Sequence, residues 1–107
     1  MTRLKKMNIK DEEEEIVKNM VKTINSLAKT TLSIAHTGGG TEEESFELHM
    51  EGELDGTKIK EIQEMSGAHA TALMRLLDSF ETITEVKLHL NWDEGTKKWI
   101  LVCDNID

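Results

Sequence analysis

The run DEEEEIVKNMVKTINSLAKTTLSIAH, residues 11–36, carries the strongest periodic signal in the chain, and its reading sets the fold. Ile16, Met20, Ile24, Leu27, Thr31 and Ile34 recur at spacings of four, four, three, four and three, and Val17, Val21, Ala28 and Ala35 widen them into one apolar face. Asp11 with Glu14 three residues on has the form of a capping box, and the carboxylates from Asp11 to Glu15 suit the positive end of a helix dipole. His36, with Gly38 just past Thr37, supplies a stop. The spacing therefore predicts one helix over residues 11–36, about 39 Å long at a rise of ~1.5 Å per residue. Such a stripe outruns one short sheet. Its surplus is expected to pack on a second helix or on another copy of the chain, with Met20, Ile24, Leu27 and Ile34 in the seam.

Beyond this run, Gly38, Gly39 and Gly40 lead through Thr41 into Glu42, Glu43 and Glu44, which reads as an acidic loop. A phosphate cradle needs a strand before its glycines and a lysine-bearing helix start after them; here a predicted helix precedes and acids follow. From Ser45 to Leu54 the chain alternates, Phe46, Leu48, Met50 and Leu54 to one side and Glu47, His49, Glu51 and Glu53 to the other, as a half-buried strand does. Residues 57–65 fit either a hairpin arm or a first helical turn. Folding them back on the preceding strand would set Glu61 opposite buried Met50, so a helix is preferred from Thr57, interrupted near Gly67 and continuing on Ala70, Leu73, Leu76, Leu77 and Phe80 to about Glu81. Val86, Leu88, Leu90 and Trp92 alternate with Lys87, His89 and Asn91, and a second apolar run from Trp99 to Cys103 completes a hairpin. Gly95 serves a two-residue turn or a longer one, so the register stays open between Ile100 with Val102 facing outward and Trp99, Leu101 and Cys103 doing so. A strand apolar on both faces belongs in the middle of a sheet. The expected fold is α+β: a small three-stranded, mainly antiparallel sheet with two helices on one face, in the order α-β-α-β-β. Residues 11–107 form the domain and residues 1–10 a mobile basic extension, with outward Ile100 and Val102 adding to the self-association surface.

The 107 residues suit one domain, and Leu, Ile, Val and Phe make up about a quarter of them, above the range of disordered chains. There is no long apolar run and no signal-like start, which predicts a cytoplasmic protein, in the host cytoplasm if phage-encoded. Cys103 is the only cysteine, in keeping with a reducing compartment. Charge is placed unevenly. With 21 acids against 13 bases the chain carries −8; Arg3, Lys5, Lys6 and Lys10 stand unopposed within the first ten residues, and no Lys or Arg occurs from Thr30 to Thr57. Such a field repels nucleic acid and anionic membrane and attracts basic protein surfaces, besides keeping a protein soluble.

Reactive constellations are thin. Asp78, Glu85 and Lys87 have the residue types of a metal-dependent nuclease, but Asp78 falls in a helix and the acidic field opposes a polyanionic substrate. His49 and His89 would approach each other beside Glu47 or Glu51 if their strands are neighbours or near-neighbours, and two histidines do not complete a metal site. His36 reads as a cation at a helix end, His69 as a partly buried, hydrogen-bonded residue of the second helix, and Cys103 as a small core or interface residue without a sequence-adjacent activator. No cofactor, metal or catalytic residue is predicted.

What remains is a surface. Glu12, Glu13 and Glu15 at the helix start, Glu42, Glu43 and Glu44 in the loop, and Glu47, His49, Glu51, Glu53 and His89 on the outer sheet face are the candidate partner-binding residues. Alternate strand residues stand about 6.6–6.8 Å apart, close to two ~3.4 Å rises of a nucleic-acid strand, which suits a basic groove. In size and acidity the chain resembles phage and mobile-element proteins that block nucleases, anti-CRISPR proteins and DNA mimics among them. The resemblance implies a non-enzymatic inhibitor whose partner is the basic surface of a nucleic-acid-binding protein. Two other readings are a homodimer assembled through the first helix and the outer sheet face, and a small-ligand pocket lined by His69, Met50, Met65 and Met74.

Overall fold

The protein is α+β, with two sheets where one was expected. A computed structural model describes residues 2–7, 9–37, 45–52, 57–62 and 64–104. The chain runs β1 (Thr2–Met7), α1 (Asp11–Ala28), β2 (Leu32–Thr37), β3 (Ser45–Met50), β4 (Lys58–Ile62), α2 (Gly67–Thr84), β5 (Leu88–Asp93) and β6 (Lys98–Cys103). The first sheet has the order β1-β3-β2 and the second β4-β6-β5, all antiparallel. The same strand-helix-strand-strand unit therefore occurs twice, the last strand of each lying between the other two.

The long helix predicted to His36 stops at Ala28. Lys29 turns left-handed, at φ 57° and ψ 41°, and Asn25 grips the departing chain. Its Nδ2 donates to the Leu32 carbonyl at 2.9 Å, and its Oδ1 accepts from Leu32 N–H at 2.9 Å and from the Thr30 hydroxyl at 2.8 Å. Residues 32–37 then form a strand, and the surplus length expected to pack on a second helix or on another copy of the chain disappears. The helix start also shifts by one residue: Glu13, not Glu14, reaches back, its Oε1 accepting from Lys10 N–H at 3.0 Å.

The basic segment assigned to an extension supplies β1, in which Leu4 and Met7 are fully buried. A bulge between Arg3 and Lys5 breaks its alternation, so its two core residues stand three apart. In the second unit the bulge recurs between Lys58 and Lys60, with Ile59 and Ile62 buried. That makes residues 58–62 a strand where a helix was preferred. Its partner is β6, not β3, and Glu61 faces Ile100 on the outer side of the sheet.

The halves agree position by position. Both helices have 18 residues, and the buried set Val17, Val21, Ile24 and Ala28 of α1 falls at the same helix positions as Leu73, Leu77, Phe80 and Thr84 of α2, which buries Ala70 besides, where α1 has half-buried Glu14. His36 stacks on Phe46 at 4.9 Å between ring centroids, and the equivalent pair in the second unit, Trp92 and Trp99, meets edge-on at 5.2 Å. The last hairpin turns on four residues, with Asp93 opposite Lys98 and Lys97, not Gly95, left-handed at φ 55°. Trp99, Leu101 and Cys103 thus share the core side with Leu88 and Leu90. α1 packs on α2, each helix lies on its own sheet, and one hydrophobic cluster spans both units.

Candidate functional site

On β3, Phe46, Leu48 and Met50 are buried, and Glu47 and His49 point to the other face, as the alternation requires. That face is less acidic than sequence order suggested. β3 is the central strand, and basic β1 lies beside it, so that Lys6 stands opposite Glu47 in register. Glu47 is also matched within its own strand, Oε2 lying 2.9 Å from His49 Nε2, with both side chains largely shielded from water. Glu51, just past the strand, is exposed. Glu42, Glu43, Glu44 and Glu53 lie outside the described residues.

At the start of α1, Glu12 and Glu15 are exposed, whereas Glu13 is occupied with the Lys10 backbone. Glu14 pairs with Lys18 at 2.8 Å; the hydrogen bond and charge of Glu14 hold the Lys18 pKa above its usual value.

The two sheet-face histidines are separated by the duplication, His49 in the centre of the first sheet and His89 on the edge strand of the second. His89 Nδ1 lies 3.3 Å from Asp104 Oδ2 without hydrogen-bond alignment, and Lys87 Nζ approaches the same oxygen at 3.9 Å. Among the described residues no three His, Cys, Asp or Glu side chains converge on a common point. His36, expected at a helix end, sits on β2, and His69, expected partly buried, is exposed in the first turn of α2. Cys103 is buried in the core.

The residues proposed for a seam between copies are mostly used within the chain. Ile24 is fully buried, and Met20, Leu27 and Ile34 pack partly buried against the core. Met20 and Leu27 occupy the same flank of α1 that Leu76 and Ile83 occupy on α2, and the two helices pack on each other. On β6 Val102 is buried and Ile100 half-buried, both on the outer side of the second sheet. Ile16, Met74 and Trp92 are the large apolar side chains that remain exposed among the described residues.

A feature absent from the sequence reading lies where the units meet. A cleft of about 620 Å³ is bounded by the end of α1, by β4 and by the start of α2, with Leu27, Ala28 and Ile62 as apolar walls and Lys29, Lys60, Glu64 and His69 around the rim. Of the four residues expected to line a pocket only His69 does so; Met50 is buried in β3 and Met74 faces solvent. No sequence signal marked this cleft, because its walls come together only once residues 58–62 form a strand beside the end of α1.

No family model, curated protein or solved structure matches the chain. No described helix is long and apolar enough to cross a membrane.

Proposed function

We propose that this protein is a non-enzymatic binding module that docks through acidic side chains on a basic surface of another protein. The observation that carries this reading is the charge excess, −8 over 107 residues, together with the solvent exposure of Glu12, Glu15 and Glu51. Carboxylates left unmatched on a surface steer basic partners and repel nucleic acid. A basic groove that itself binds nucleic acid is the partner class this charge suits, and occupying it would inhibit that protein in the manner of a DNA mimic or anti-CRISPR protein. The pairing of Glu47 with His49 and the nearness of β1 move the weight of the surface from the centre of the first sheet to the start of α1 and the end of β3.

The test compares what the tagged wild-type chain and a Glu12→Lys, Glu15→Lys, Glu51→Lys variant capture from bacterial lysate at low and high salt, read by mass spectrometry. A nucleic-acid-binding protein that elutes with salt from the wild type and is missing from the folded variant supports the reading. Identical capture by the two proteins overturns it.

A further inference from the structure

We propose that the cleft between the two units binds a small amphipathic organic anion, its apolar part against Leu27 and Ile62 and its charged head at Lys60 and Lys29. This goes beyond the acidic-surface reading and uses none of its residues. At about 620 Å³ the cleft falls within the range of small-molecule sites, roughly 300–1,000 Å³. Leu27 is partly buried and Ile62 belongs to the buried core, with Ala28 fully buried behind them, so the apolar wall is fixed by the fold. Lys60 is also held in place: it stands at the β4 bulge, and its ammonium donates to the Lys29 carbonyl at the end of α1. One of its three protons is committed there and two are free for a ligand.

The charge balance selects the sign of that ligand. Lys18, Lys58, Lys87 and Lys98 each lie within ion-pair distance of a carboxylate, whereas Lys29 and Lys60 have no carboxylate partner among the described residues. Glu61, which also borders the cleft, is already matched by Lys58 at 3.1 Å and Lys98 at 3.9 Å. Glu64 is the one rim carboxylate left to oppose two lysines, and the exposed His69 ring adds a further donor. The duplication supplies an internal comparison. Glu85 takes the place of Lys29 at the end of the other helix, and Glu13 takes the place of His69 at the other helix start. In a chain with a large acidic excess, this junction alone of the two carries Lys and His, not Glu, at those positions.

The experiment titrates the isotopically labelled full-length chain with octanoate and, in parallel, octylamine, following backbone amide resonances by NMR. Octanoate is expected to shift Ala28, Lys29, Ile62 and His69 saturably at millimolar concentration or below, and octylamine to leave them in place. Octyl phosphate as a third arm distinguishes a phosphate head from a carboxylate head. Lys60→Gln should weaken octanoate about tenfold through loss of a charge-assisted hydrogen bond. Glu64→Lys, at an exposed position clear of the core, should tighten it about threefold and keeps the test decisive if the first variant fails to fold. Octylamine binding as well as octanoate, shifts centred on Trp92 and Trp99, no saturable shift, or an affinity indifferent to both substitutions would each overturn the assignment.

Discussion

Lys29 and Glu85 stand at the same place in the two halves of the chain, each closing an 18-residue helix in the left-handed conformation, at φ 57° and 62°. Neither is glycine, the residue that adopts this conformation without strain from a Cβ. The helices are ended by tertiary demand, and each junction holds its exit in a different way. After α1 the Asn25 amide bridges to Leu32 and Thr30. After α2 the Thr84 hydroxyl donates to the Phe80 carbonyl at 2.7 Å and accepts from Val86 N–H at 3.2 Å.

Relieving the strain should stabilise the protein. Glu85→Gly removes the left-handed penalty at an exposed site, and after the added chain entropy of glycine in the unfolded state the net gain is about 0.5–1 kcal/mol. Urea denaturation should show a higher midpoint at unchanged slope. A lower midpoint would mean that the helix ends in another geometry.

Lys29 also bears on how much of the fold is legible in the sequence. α2, β3 and the β5–β6 hairpin were found because Leu73, Leu77 and Phe80, then Phe46, Leu48 and Met50, then Leu88 and Leu90 keep a strict period of their own element. β2 was read as helix because nothing at Lys29 announces a stop, and Ile34 happens to continue the helical spacing. β1 is hidden by the basic composition of residues 1–10, and β4 by Glu61, which would face buried Met50 if residues 58–62 paired back on β3; in both strands a bulge also sets the buried pair, Leu4 with Met7 and Ile59 with Ile62, three apart and breaks the alternation. The duplication itself was hidden because the units share buried positions, not residue identities: Val21 stands where Leu77 stands, and Ala28 where Thr84 stands. The acidic face of β3 was legible as a face. Its neutralising neighbour β1 was not, and neither was the cleft, since both depend on pairings between distant segments.

The junction after α1 can be tested on its own. Asn25→Ala removes three hydrogen bonds and leaves the Leu32 N–H and carbonyl without their partner, which should cost about 1–3 kcal/mol. Amide exchange at Leu32 should speed up far more than at Leu88, its counterpart in the second unit. Equal acceleration at both would show that Asn25 acts on global stability and not on the exit of its own helix.

The shared core makes a stronger demand. Leu4 lies in the segment whose composition suggested an appendage, yet it is fully buried in a cluster that also contains Leu73, Leu77 and Phe80 of the second unit. Leu4→Ala should therefore cost about 2–5 kcal/mol, the range for truncating a leucine in a packed core, whereas an appendage would cost nothing. Both tryptophans, Trp92 and Trp99, belong to the second unit, so their fluorescence reports on the half that does not contain the substitution. Because one cluster joins the halves, fluorescence and far-ultraviolet circular dichroism should give a single coincident transition, displaced downward together in the variant. If the dichroism falls first while the tryptophan signal keeps its wild-type midpoint, the two units unfold independently, and the cleft between them is not a fixed feature of the native state.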